Sequence, residues 1–203
     1  MNELIERAKT GDTQALGQLL AAQSRSLTLL ARLEIGRHLQ GKLDAADVVQ
    51  ETFMEATKSI GAFEGSSLPQ FQAWLRTILA HTLAGTFRRF LGTQARDPRL
   101  EQQLVRELDQ SAMSLGGILA APGNTPSEDV SQKEQQARVL EAIANLPEQY
   151  EAVLVMRHME NLSFREISER MGRTVDSVEK LWIRGVTRLR KEFTRLTCEG
   201  EIH

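Results

Sequence analysis

Residues 163–191 read SFREISERMGRTVDSVEKLWIRGVTRLRK. Ser163 followed three positions later by Glu166 is the pattern of a capping box: the hydroxyl accepts from a free backbone N–H, and the carboxylate accepts from the cap residue's own N–H. The pattern predicts a helix that starts at Ser163. Phe164, Ile167 and Met171 share one face of it, and Gly172 supplies the left-handed residue that ends it. Thr174 then caps a second helix, in which Val175, Val178, Trp182, Val186, Leu189 and Phe193 predict an inward stripe. Its other face carries Asp176, Ser177, Lys180, Arg184, Thr187, Arg188 and Lys191. A short helix, a turn with glycine and a longer helix that is apolar inside and basic outside make a helix-turn-helix, whose second member fits a DNA major groove. The same outline also occurs in plain bundles, where a charged outer face is only solvated.

The totals narrow the setting. At 203 residues the chain suits two small domains, and 41% hydrophobic with 26% charged residues is ordinary for a folded protein. Aromatic residues make up only 5%, while Leu, Ala, Glu, Gln and Arg are plentiful, a mix that predicts an all-α fold. The single Cys198 has no partner for an internal disulfide, and neither a secretion signal nor a membrane span is read from the sequence, so the expected compartment is the cytoplasm. The net charge of −2 hides a segregation. Residues 162–195 hold nine Lys/Arg against five Asp/Glu, whereas residues 97–135 hold three against seven.

Upstream, residues 2–91 read as a helical unit. Gly11-Asp12 interrupts a short first helix, after which Leu16, Leu19, Leu20, Leu27, Leu30 and Ala31 recur at helical spacing up to Gly41. Asp44 stands as the cap of a helix over 45–60, with Val48, Val49, Thr52, Phe53, Ala56 and Ile60 inward and Asp47, Gln50, Glu51 and Glu55 outward. GAFEGSSLP, residues 61–69, reads as a loop. A helix from about Pro69 to Phe90 buries Phe71, Trp74, Leu75, Ile78, Leu79 and Leu83 and leaves through Arg88-Arg89. Beyond Leu91 the pattern weakens. Residues 99–109 suit a helix, but MSLGGILAAPGNTPSED has the composition of a flexible linker. Ala137, Leu140, Ile143 and Ala144 resume an apolar stripe that Pro147 stops, and Pro147 opens a further helix through Val153, Leu154 and Met156. The expected organisation is residues 1–91, a linker over 92–129, and residues 130–203.

With both halves read, the chain resembles the extracytoplasmic-function (ECF) group of the sigma-70 family, the initiation factors of bacterial RNA polymerase. LPEQYEAVLVMRHMENLSFREISERMGRTVDSVEKLWIRGVTRLRK looks like region 4 of that family; GDTQALGQLL, DAADVVQETFMEA and FQAWLRTILAHTLAGTFRRF look like region 2. The resemblance covers nearly all of the chain outside the linker and implies roles by position. Asp47, Gln50 and Glu51 match the surface that docks on the β′ clamp helices of core polymerase. Phe63 to Pro69 match the loop that captures a base flipped from the −10 element, although on its residues alone this is equally a plain surface loop. Trp74 reads as core. Arg88 and Arg89 match the basic end of region 2, where promoter phosphates pass. Arg173, Thr174, Ser177 and Lys180 are candidates for base edges of the −35 element, and Arg184 and Arg188 for its phosphates. Glu179 either serves specificity or pairs with a neighbour one turn away. The implied partners are core RNA polymerase through its β′ clamp helices and β flap, promoter DNA and an anti-sigma inhibitor; no cofactor or metal is implied.

The sequence departs from the family's usual pattern at His81 and Gly85, where Asn and Asp are commoner, and this puts the −10 preference in question. The acidic linker resembles connectors that run near the polymerase's RNA path, or is a solvated tether. An enzyme is disfavoured because His38, His81, His158, His203 and Cys198 form no metal or nucleophile spacing, and no glycine-rich phosphate loop is present. A stand-alone helix-turn-helix regulator is the remaining rival; it accounts for residues 130–196 and leaves the region 2 motifs unexplained.

Overall fold

The computed structural model describes residues 1–39, 43–91, 98–116 and 138–200, and every regular element among them is helical. The helix stop at Gly41, most of the linker and the chain end with His203 lie outside the described residues. The chain forms two compact units, Met1–Gln110 and Ser111–His203.

The first unit begins with α1 (Asn2–Lys9) and α2 (Thr13–Leu39). Gly11, at φ 97°, makes the turn between them in a conformation that costs glycine nothing sterically. Asp12 then caps α2: its Oδ1 accepts from the N–H groups of Gln14 and Ala15 at 3.0 and 2.9 Å, and Arg7 Nη2 meets Oδ2 at 2.7 Å. The Ala15 amide first, and Arg7 next, hold the Asp12 carboxyl below the ordinary carboxylate range. The stripe expected on α2 is buried as read, from Leu16 through Leu20 to Leu27, Leu30 and Ala31. α2 packs on α1, on α3 (Ala45–Ser59) and on α4 (Leu68–Leu91), and α3 packs on α4. Asp44 caps α3 by accepting from Ala46 N–H at 2.8 Å.

Between α3 and α4 the chain makes a 3-10 turn, Ile60–Ala62, and then a short pinned loop. Phe63 turns inward, only 7% exposed, against Phe71 (centroids 5.8 Å apart) and Trp74 (5.1 Å). Lys9 of α1 donates to the Gly65 carbonyl at 3.2 Å. Gln70 Oε1 accepts from the backbone N–H groups of Ser66 and Ser67 at 3.0 and 3.2 Å, which fixes the first turn of α4. Gly65 lies so close to the Phe63 ring that a Cβ there would sit 2.3 Å from Cζ.

The first unit runs past the boundary expected at residue 91. The helix suspected at 99–109 is real and longer: α5 spans Pro98–Gly116, with Pro98 at its first position, where a missing N–H costs nothing. Leu104 and Leu108 are fully buried on one face of it, and Arg76 of α4 meets Asp109 at 2.7 Å. Residues 98–110 therefore belong to the first compact unit rather than to a tether.

In the second unit, helical residues 138–144 (α6) bury Val139, Leu140, Ile143 and Ala144. α7 (Glu148–His158) follows Pro147, and α8 (Phe164–Met171) and α9 (Val175–Gly200) form the helix-turn-helix. α7 packs on both α8 and α9, which also pack on each other.

Replacing Gly65 by alanine forces the new methyl against Phe63, an overpacking that costs about 1–3 kcal/mol. Gly61→Ala, where a Cβ meets nothing within 4 Å, serves as the control. Urea unfolding followed by Trp74 fluorescence in a Trp182→Phe background is expected to show a lower midpoint for Gly65→Ala alone; equal midpoints would contradict the pinned loop.

Candidate nucleic-acid interface

The recognition unit is built as its capping residues dictate. Ser163 N–H and Oγ both lie 2.7 Å from Glu166 Oε2, and Glu166 N–H donates to Ser163 Oγ at 3.3 Å, so α8 starts with a complete capping box. These bonds, that from the Ser163 hydroxyl above all, lower the Glu166 pKa. Gly172 ends α8 at φ 62°, in the left-handed region. Thr174 Oγ1 accepts from Ser177 N–H at 3.2 Å and so caps α9.

The inward face of α9 is turned from the stripe read in the sequence. Val178, Leu181, Gly185 and Leu189 are buried, Trp182, Val186 and Phe193 are half-buried, and Val175, expected inside, is exposed. Gly185 lets α7 come close, since a Cβ there would meet Tyr150 Cβ and Leu154 Cγ at 3.6 Å. With this side held, Arg173, Thr174, Lys180, Arg184 and Arg188 are all exposed, while Ser177 is half-buried. Lys180 is paired with Asp176 at 2.7 Å one turn earlier. Ile183, 57% exposed, adds a second apolar side chain, with Val175, to the outer side of α9, which the inward-stripe reading passed over.

Behind α9, Trp182 Nε1 donates to His158 Nε2 at 3.3 Å, with Phe164 edge-on to Trp182 at 5.8 Å and the Arg157 guanidinium 4.9 Å over the Phe164 ring. Burial first, and the Arg157 charge second, lower the His158 pKa from its ordinary value of 6.5. A neutral His158 is needed to accept from Trp182, and no sequence pattern announced this pair.

In the first unit the polymerase-facing candidates lie along α3, with Asp47 and Gln50 exposed. Glu51 is half-buried and ion-paired: Arg89 Nη2 lies 3.1 Å from Glu51 Oε2 and also donates to Thr86 Oγ1 at 3.0 Å. Met54, 55% exposed and three residues beyond Glu51, continues this outer strip. Arg88 is half-buried, its Nη1 3.2 Å from Glu101 Oε1 of α5, and His81 Nδ1 lies 3.0 Å from the other oxygen of the same carboxylate. Phe63, the −10 candidate of the loop, points into the core of the first unit. Its ring is enclosed by Phe71 and Trp74, because an aromatic side chain in a short loop gains more from the core than from solvent.

Because the His158 pKa is depressed in the folded state, the unfolded chain takes up the proton more readily. The corresponding stability is complete above the unfolded value of 6.5 and is lost as pH falls below it. The melting temperature of the second unit, read from Trp182 fluorescence in a Trp74→Phe background, is expected to drop between about pH 7 and pH 5. His158→Gln, which still offers an acceptor to Trp182, is expected to flatten that drop; an unchanged slope would remove His158 from the account.

Known proteins share both halves of this arrangement. The sigma-70 region 2 family model matches residues 27–90, and the sigma-70 region 4 model matches residues 136–189. The ECF RNA polymerase sigma-E factor of Haemophilus influenzae is 30% identical over 175 residues, covering 86% of this chain and 85% of its own. Sigma factor BldN of Streptomyces coelicolor is 29% identical over 191 residues, 93% of this chain and 64% of the relative. The sigma-E factor of Escherichia coli K12 is 28% identical over 175 residues, 86% of this chain and 84% of its own. With a helix-turn-helix whose basic face is turned outward, and a preceding helical unit that matches region 2, this chain belongs to the ECF sigma factors of the sigma-70 family.

Proposed function

We propose that this chain binds core RNA polymerase in the cytoplasm and directs it to promoters through their −10 and −35 elements. The observation that carries the reading is the presence, in one chain and in this order, of a region 2 match and a region 4 match whose recognition helix is held by its apolar side and offers its basic side to solvent. A stand-alone regulator accounts for the second unit alone and leaves the match over residues 27–90 without a purpose.

In this reading Asp47 and Gln50, with Glu51 beside them, dock on the β′ clamp helices, and the second unit meets the β flap. Arg173, Thr174, Ser177 and Lys180 approach base edges of the −35 element at the start of α9, where a recognition helix enters the major groove. Arg184 and Arg188, two and three turns in, meet phosphates. The Thr174 oxygen is already used in capping, so towards DNA its hydroxyl is a donor. Arg88 and Arg89 lie along the path of the −10 strand. Phe63 contributes from below: it anchors the loop on whose outer side an extruded base would rest, so that no loop ordering is required when the base arrives. An anti-sigma factor would act by covering these same surfaces.

The direct test is run-off transcription with core enzyme on a library of genomic fragments. Initiation from a restricted set of fragments is expected, and promoter-independent DNA binding with no effect on core enzyme would reject the proposal. Asp47→Arg combined with Gln50→Ala is expected to weaken core binding at least tenfold, about 1.4 kcal/mol, with an unchanged helical signal. Unaltered affinity would remove α3 from the docking surface. Arg184→Ala is expected to weaken holoenzyme binding on all promoters alike and to flatten its salt dependence by about one counterion. A changed sequence preference would instead place Arg184 at a base edge.

A further inference from the structure

Along α4 and the part of α5 that lies in the first unit runs a pairing that the promoter reading does not use. One carboxylate, Glu101, faces two α4 side chains at once: Oε1 lies 3.2 Å from Arg88 Nη1, and Oε2 lies 3.0 Å from His81 Nδ1. Eight residues further along α5, Asp109 meets Arg76 Nε at 2.7 Å. As the α5 partner advances from 101 to 109 the α4 partner retreats from 88 to 76, so the two helices run antiparallel. Glu101 itself is only 8% exposed, and Leu104 and Leu108, on its face of α5, are fully buried. α5 is thus tied to α4 by ion pairs at Glu101 and Asp109, and these acids lie on the cations of α4.

We infer that α5 is a removable cover over a phosphate-binding face of α4, formed by Arg76, His81 and Arg88, and that the ligand which displaces it is single-stranded DNA. The inference rests on the proposed path of the −10 strand along Arg88 and adds to it two residues, His81 and Arg76, and a state in which that path is closed. The chemistry is an exchange of like for like. A guanidinium forms equivalent charge-assisted bonds with a carboxylate and with a phosphate, so Arg88 and Arg76 lose nothing when a backbone phosphate replaces Glu101 or Asp109. Glu101 cannot stay where a phosphate is to sit, because two anions on one guanidinium edge repel. A strand bringing several phosphates in register competes with both acids together, whereas an isolated anion competes with one. In the free chain the apparent affinity for a single strand is reduced by the fraction of molecules with α5 lifted.

The test uses the full chain with Arg184→Ala and Arg188→Ala as a fixed background, so that α9 contributes equally little to every measurement. Binding of a labelled oligothymidine strand is followed by fluorescence anisotropy. Glu101→Gln with Asp109→Asn removes the competing charge at constant size; separately, Leu104→Ala with Leu108→Ala weakens the apolar burial of α5 and leaves the charges. Both are expected to tighten strand binding by about tenfold or more, because each raises the fraction of molecules with α5 lifted. Adding Arg88→Ala is expected to abolish the gain. Absence of a gain from the charge pair, or a gain that survives Arg88→Ala, overturns the inference. Should the leucine pair lose its helical signal, the charge pair decides alone. Run-off transcription by the unsubstituted chain separates the two readings: initiation without any gain in strand affinity discards the cover and leaves the promoter function standing. No initiation discards the promoter function itself.

Discussion

Carboxylates of the chain sit on cations that it would turn towards nucleic acid: Glu101 on Arg88, Glu51 on Arg89 and Asp176 on Lys180. How readily each cation can turn to a phosphate depends on how firmly its pair is held. An exposed pair one helical turn apart, such as Asp176 with Lys180, contributes only a few tenths of a kcal/mol and gives way to a phosphate readily. The Glu101 pair is different in kind, because the carboxylate is almost enclosed and holds His81 as well as Arg88, so releasing Arg88 means moving a helix. Under the proposed function the chain alone is an indifferent ligand for DNA, and its cations become available when core polymerase holds its helices.

The apolar side of each unit decides where those cations point. On α9 the line Val178, Leu181, Gly185 and Leu189 is buried, and Gly185 brings α7 within van der Waals reach, leaving Lys180, Arg184 and Arg188 on the opposite side. On α3 the line Val48, Thr52 and Ala56 does the same for Asp47 and Gln50. A face set by core packing is rigid, which is what a surface that must meet a preformed partner requires. The aromatic set of Phe63, Phe71 and Trp74 extends this to a loop, which Gln70 and Lys9 pin from either side.

Local patterns announced most of the helices and both caps of the helix-turn-helix, because capping boxes, left-handed glycines and helical spacing are written within a few neighbouring residues. What the sequence concealed depends on distant partners. Val175 and Leu181 are both apolar, so spacing alone left the rotation of α9 open by about one position, and contact with α7 settles it in favour of Leu181. Phe63 stands among Gly, Ser and Pro, which read as surface, and only residues eight and eleven positions on draw it inward. Glu51 finds Arg89 across 38 residues and loses the free outward position that its helix face suggested. Glycines and acids made residues 92–129 read as a tether, yet Pro98 followed by Leu100, Leu104 and Leu108 at four-residue spacing was the available sign of α5.

The central claim is that the two units acquire useful DNA affinity only when core polymerase holds them. The most direct measurement is the affinity of the full chain for selected promoter fragments across a range of salt, alone and with core enzyme. The account predicts weak binding by the chain alone, scarcely better than to unrelated duplex, and promoter-selective binding by the holoenzyme that is tighter by a factor on the order of 10³ or more. Equal affinity with and without core enzyme would contradict it.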